Sequence, residues 1–372
     1  MIILIILGAL MLAWVNGAND NFKGVATLFG SKTTPYKRAI AWATLTTFAG
    51  SLTAIWLAGQ LVQHFSGKGL VPDALVQSPA FALSIALGAA ATVLFATKIG
   101  MPVSTTHSLI GALFGSGMLA VGSAFNFGHL WHTFLMPLLV SPLLAGVFSF
   151  VVYRLFKRAR LTLGLTKETC ACIGGEFVPV NHSFTENGIL LATSDAQTTL
   201  SIDTQTTCVE RYRGQFIGIS AQSLLDGAHY LSAGVVSFAR GLNDTPKIVG
   251  LMLVVQAFDI HWGLLPVAIA MAAGGLIHAR KVARTISQRI TPMNPGQGFT
   301  ANLATGLLVT TASVHGLPVS TTHVSVGAIF GIGQANQSTD YGMLRKILGA
   351  WVLTLPVAAI FSAIAWLIIS SI

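Results

Sequence analysis

Gly17-Ala18-Asn19-Asp20-Asn21-Phe22-Lys23 returns later in the chain as Gly241-Leu242-Asn243-Asp244-Thr245-Pro246-Lys247. Met101-Pro102-Val103-Ser104-Thr105-Thr106-His107 returns as Leu317-Pro318-Val319-Ser320-Thr321-Thr322-His323. Each copy of the second stretch runs on into a similar segment, Gly111-Ala112-Leu113-Phe114-Gly115 and Gly327-Ala328-Ile329-Phe330-Gly331. The offsets are 224 and 216 residues, so order and spacing are both kept. Two unrelated motifs repeating in step mark a chain built from two related halves.

The motifs are set in apolar sequence. Of 372 residues, 53% are apolar and only 9% charged, against about 25% charged in an ordinary soluble domain. Mean hydropathy is +0.72. This excludes a cytosolic globule, a disordered chain and a disulfide scaffold, and predicts an all-α polytopic membrane protein. Continuous rather than alternating apolar runs argue against a β-barrel. The expected spans are 2–16, 39–63, 80–97, 107–122, 130–153, 217–238, 246–258, 262–278, 300–313, 323–333 and 347–370. The first has no basic lead-in and is read as a retained span rather than a signal peptide. Several are short and abut Gly, Pro or polar breaks, as half-helices and re-entrant hairpins do.

Basic residues set the orientation. Lys32, Lys37 and Arg38 share one loop; Arg154, Lys157, Arg158, Arg160, Lys167, Arg211 and Arg213 flank a polar insert; Arg280, Lys281, Arg284 and Arg289 share another loop; Arg345 and Lys346 precede the last span. Placing all of these on the cytoplasmic side absorbs most of the +9 net charge, so nucleic acid is not an expected partner. It also yields one consistent path. Both termini lie outside, the insert is cytoplasmic, and the pairs 80–97/107–122 and 300–313/323–333 form hairpins. The two halves then start from opposite faces. The expected organisation is a first membrane repeat over 1–155, a cytoplasmic insert over 156–213 and an inverted second repeat over 214–372. Such repeats hold their substrate at the repeat interface near mid-bilayer.

The Pro-Val-Ser-Thr-Thr-His segments carry the chemistry. Proline stops a preceding helix and suits a helix start, and Ser and Thr are preferred N-caps. Ser104, Thr105, Thr106, Ser320, Thr321 and Thr322 therefore begin helices at the hairpin tips. Hydroxyls, unpaired N–H groups and a positive helix end suit an oxyanion; the same residues also cap a kinked helix with no ligand. Asn19, Asp20, Asn243 and Asp244 follow a glycine at a break between apolar runs. An intramembrane carboxylate is functional by default, and these oxygens suit a hard cation. Lys23 and Lys247 lie three residues beyond each Asp, which on a helix places the pair on one face. Either reading stands: an ion-pair lock, or a pair that also touches substrate. Arg240, at the position matching Asn16, either binds an anion with its fork or snorkels to an interface; the second reading is favoured. Asp226 and His229, one turn apart, could relay protons or simply bond to each other, and the structural pair is favoured. His107 and His323 close the tip motifs, and Lys98 has no counterpart in the second half. No nucleophile or metal constellation for an enzyme is visible.

The insert alternates weakly over Thr169–Val180 and Gly188–Val209, which suggests a small β-subdomain. Cys170, Cys172, His182 and Cys208 lack a standard zinc spacing. Free thiols and no metal are expected in a reducing compartment.

At the four motif copies the sequence resembles the PiT family of inorganic phosphate transporters. The resemblance covers both membrane halves and leaves the insert least constrained. It implies broken helices in an inverted repeat, phosphate held by hydroxyls and backbone of the two tips, and coupling to sodium or protons with no other cofactor. The expected partners are phosphate, membrane lipid of the cell (inner) membrane and a second copy of the chain. One departure is clear. The family commonly has a small polar residue, typically Asn, three positions after the motif Asp; this chain has Lys23 and Lys247. An ammonium beside each carboxylate takes the role of a bound cation, so the lysines are expected to replace sodium and pair with the anion. Sulfate or another tetrahedral oxyanion, and an anion channel on the same fold, are the alternatives.

Overall fold

A computed structural model describes residues 1–176, 182–184, 190–192, 197–254, 260–289 and 293–371. Among them, six helices are long and apolar enough to cross a membrane, or seven if a pair bent by 72° at residue 279 counts as one span. The chain divides into two compact units, Met1–Arg154 with His229–Ile372, and Leu155–Ala228.

In the larger unit the repeated motifs produce matching local structure. The helix Pro79–Ile99 stops at Gly100, whose φ of 75° lies in the left-handed region. The helix Pro295–Val314 is followed by Gly316 with φ of 70°. Glycine adopts that conformation without the Cβ clash that other residues incur. Four residues then run without helix, with Pro102 or Pro318 among them, and a new helix starts at Thr105 or Thr321. Ser104 accepts a hydrogen bond from the His107 N–H (3.2 Å) and Ser320 from the His323 N–H (3.3 Å). These are N-caps on the helices Thr105–Val121 and Thr321–Asn336, as the sequence predicts.

Glycines bring these helices to backbone contact. A Cβ on Gly17 would strike the Met271 carbonyl, and one on Gly241 the Thr47 carbonyl. Gly115 and Gly331 abut the Ala359 and Gly146 carbonyls in the same way. Small residues at crossings are how helices associate where apolar lipid offers no hydrophobic driving force. Exposed apolar side chains such as Leu143, Val147, Val352 and Leu353 lie on Phe127–Thr162 and Tyr341–Ser370, the least buried of the six candidate spans. These are the faces that meet lipid.

Three details differ from the sequence reading. Asn243 and Asp244 do not sit at a break: one helix runs Ala221–Gly250 straight through Pro246. Proline removes a single helical hydrogen bond, which packed surroundings tolerate. The expected span 246–258 is thus the end of that helix and the 3₁₀ turn Leu251–Val254; residues 255–259 lie outside the described set. In the first half the helix does end, at Asp20, and a 3₁₀ turn Lys23–Val25 follows. The basic loop at 280 is itself a helix, Arg280–Arg289, with Val282, Ala283 and Ile286 buried.

The smaller unit carries an antiparallel sheet of β1 (Thr169–Glu176), β4 (Gln197–Thr204) and β5 (Phe216–Ser220), with β1 in the middle. β2 (His182–Phe184) and β3 (Leu190–Ala192) form a separate two-stranded ladder. Other parts of the predicted alternating runs, and the His182 side chain, lie outside the described set. Cys172 and Cys208 are joined as a disulfide, against the expected free thiols, because β1 and the helix Gln205–Arg211 face each other there.

Candidate functional site

The two tips meet. Thr106 Oγ1 donates to the Val319 carbonyl and Thr322 Oγ1 to the Val103 carbonyl, both at 3.3 Å. The rings of His107 and His323 lie 4.3 Å apart, and Trp351 packs on His323.

Each Asn-Asp motif supports its own tip. Asn19 Nδ2 donates to Thr97 Oγ1 and the Met101 carbonyl (both 3.0 Å), and its Oδ1 accepts from the Val103 N–H (3.2 Å). Asn243 Nδ2 donates to the Val319 carbonyl (3.2 Å) and Thr321 Oγ1 (3.3 Å), and its Oδ1 accepts from Ser313 (3.2 Å). A carboxamide offers donors and acceptors together, so it can hold a non-helical strand on both sides.

The lysines cross between the halves. Lys23 Nζ donates to Asp20 Oδ1 (2.6 Å), the Val103 carbonyl (2.5 Å) and Thr322 Oγ1 of the other tip (2.6 Å). Lys247 Nζ donates to the Val319 carbonyl (2.6 Å) and Thr106 Oγ1 of the other tip (2.7 Å), with Asp244 Oδ1 at 3.6 Å. Each ammonium thus sits among a carboxylate, a carbonyl and a hydroxyl. That oxygen set is the kind a hard cation takes.

Arg240 overturns its sequence reading. It is wholly buried rather than snorkelling. Its Nη2 donates to Asn16 Oδ1 (2.5 Å), its Nη1 to Asn21 Oδ1 (3.1 Å), and its Nε lies 3.6 Å from Asp244 Oδ2. Asn16 in turn donates to Asp20, Asp244 and Thr105 at 3.0–3.3 Å, and Thr105 donates to Asp20 (3.1 Å). Asn16 and Arg240 therefore weld the two motifs together, and neither was assigned a site role. The signal was present: Arg240, Asp244 and Lys247 lie on one helix face at spacings of four and three. Asp226 and His229 do not pair. Asp226 accepts from Gln222, and His229 contacts Thr27. Lys98 is exposed, and its carbonyl accepts from Lys281 (3.4 Å).

The charges are close to dry. Relative exposure is 3% for Asp20 and Lys23, 4% for Asp244, 1% for Lys247 and 0% for Arg240. A buried charge must be paired to persist. Here three cations face two carboxylates, and the surplus positive charge lies beside two capped helix starts.

Comparisons with known proteins give the family and the fold. The sequence profile of the phosphate transporter family matches residues 16–362. The chain is 27% identical to a Bacillus subtilis protein named "Probable low-affinity inorganic phosphate transporter", over 100% of this chain and 97% of that one. It is 27% identical to inorganic phosphate transporter 2-1, chloroplastic, of Arabidopsis thaliana, over 95% of this chain and 69% of that one. A solved structure titled as the sodium-dependent phosphate transporter superposes with a TM-score of 0.74 at 24% identity, covering 100% and 99% of the two chains, and shows the shared fold. The chain is an integral membrane protein and a member of the phosphate transporter family.

Proposed function

We propose that this protein carries inorganic phosphate across the membrane by secondary active transport, and that it needs no sodium at the Asn-Asp motifs. The observation that carries the reading is the position of Lys23 Nζ and Lys247 Nζ, each among the carboxylate, carbonyl and hydroxyl oxygens that a mobile cation would use. The oxyanion is held between the tips by the hydroxyls of Ser104, Thr105, Thr106, Ser320, Thr321 and Thr322 and by the first N–H groups of their helices, which have no intrahelical acceptor. Lys23, Lys247 and Arg240 supply the balancing charge.

The closed arrangement states what must move. Thr106 and Thr322 are bonded to the lysines and to the opposite tip. An anion that takes those hydroxyls replaces the cross-links with bonds to itself. Alternating access follows if the halves, as inverted repeats, rock about this point. The coupling ion is then a proton. The cell membrane, external termini and an internal insert complete the reading. Neutralised carboxylates also weaken the repulsion that would exclude sulfate, since only phosphate brings an O–H to share with Asp20 or Asp244. Labelled-phosphate uptake into proteoliposomes tests the whole, with sulfate as competitor and sodium replaced by choline. Uptake should persist in choline and fall at least tenfold in Asp20→Asn. Sodium-dependent uptake would refute the lysine role, and preferential sulfate uptake the substrate.

A further inference from the structure

The smaller unit holds a feature that phosphate transport does not use. On β1, Cys170 and Cys172 are two residues apart and point to one face, while Ala171 between them is exposed. The helix Gln205–Arg211 lies on that face, started by its Thr204 N-cap, and brings in Cys208. Tyr212 and Phe216 complete the cover. Cys172 and Cys208 are fully buried and Cys170 is 3% exposed. All three sulfurs fall within 4.8 Å of one another.

A structural disulfide needs two of these sulfurs. Cys172–Cys208 uses them and leaves Cys170 buried against the bond, engaged only by a 3.7 Å contact to its own neighbour's carbonyl. Three convergent thiols have a different chemical meaning. An ion bonded to three sulfurs at about 2.3 Å holds them roughly 3.8–4.0 Å apart, below the 4.8 Å that encloses the three here, so opening the disulfide is the main adjustment the site needs. Thiolates are soft donors and select Zn²⁺ or Cu⁺ over hard cations. Burial from water also makes three thiolates untenable without a cation among them.

We propose that in the reduced protein Cys170, Cys172 and Cys208 bind one thiophilic metal ion, Zn²⁺ or Cu⁺, and that the Cys172–Cys208 disulfide is the alternative, metal-free state of the same site. Binding is an exchange with no redox step: three S–H groups release three protons to solvent as three metal–sulfur bonds form. Among the described residues no fourth Cys, His, Asp or Glu joins the group, so the ion is either three-coordinate or takes its fourth ligand from solution.

The full chain in detergent, reduced with a phosphine and handled without oxygen, is titrated with Zn²⁺ against a chromophoric chelator and separately with Cd²⁺. The expected result is one equivalent bound, with a thiolate-to-Cd²⁺ absorption band in the near ultraviolet. Cys170→Ser keeps both partners of the disulfide, so the variant can be purified oxidised before it is reduced alongside the wild type; it should then bind at least tenfold more weakly and lose about a third of the band. The oxidised protein should bind none. Three free thiols with no stoichiometric metal, or equal binding by Cys170→Ser or by the oxidised chain, would overturn the proposal. Phosphate uptake takes no part in the readout, so this result stands or falls apart from the transport reading.

Discussion

Lys23 and Asp20 show at a single pair what burial demands. Both are almost wholly enclosed and joined at 2.6 Å. Removing one member of such a pair strands the other, at a cost of about 3–5 kcal/mol. Lys23→Met should therefore lower thermal stability strongly, while Lys23→Met with Asp20→Asn should recover most of it without recovering transport. If the double variant is as unstable as the single one, the pair is not the reason for the loss. Lys23→Asn puts a small polar residue where relatives of the PiT type commonly have one, and uptake should then respond to sodium. Unchanged rate and unchanged ion dependence would make the lysine a bystander. Arg240→Gln leaves Lys247, at 3.6 Å, as the remaining cation beside Asp244 among the described residues, and removes the charged bond to Asn16. Phosphate uptake at saturating substrate should fall at least tenfold; wild-type uptake would exclude Arg240 from the site. This residue also shows where reading a sequence stops. An isolated arginine near an apolar run resembles a snorkelling side chain until the partner helix that buries it is known, and Asn16 lies over two hundred residues away in the chain.

At the scale of the element, the tip turns were legible because their chemistry is local. Pro102 and Pro318, the Ser caps and the glycines that stop the preceding helices act within a few residues of one another, and the structure reproduces both copies. The second Asn-Asp motif was not legible in the same way: a glycine and a gap between apolar runs suggested a break, yet the helix continues through Pro246 because its surroundings are protein. The cysteines escaped for a related reason. A spacing of two followed by thirty-six residues matches no common ligand pattern, and only strand-to-helix packing brings them together. Ser104→Ala should cost about 1 kcal/mol through loss of the cap, read as a modest drop in melting temperature and a weaker apparent affinity for phosphate. A larger effect on affinity than on stability is the signature of a hydroxyl that also serves the anion; an effect on stability alone would restrict Ser104 to capping.

For the whole molecule, the repeat and the cation distribution lead to an expected pair of halves and an expected path through the bilayer, while the family match extends over nearly the full length. Sidedness has its own test. A maleimide reagent that does not cross membranes should label Lys167→Cys, in the insert, only after the cytoplasmic face is opened. Labelling from outside would reverse the orientation.

On the proposed reading, and counted at their formal charges, Asp20, Lys23, Arg240, Asp244 and Lys247 leave the bare centre with one unit of positive charge fixed to the chain. A monovalent phosphate cancels it; a divalent one inverts it. If the rearrangement carries that centre through the full field, a 100 mV potential weighs about 2.3 kcal/mol on one leg of the cycle and nothing on the other when the cargo is monovalent. The carrier's own side chains, rather than a co-transported ion, would then make its turnover sensitive to voltage, and the sign of the current on a supported membrane would report which leg is under way.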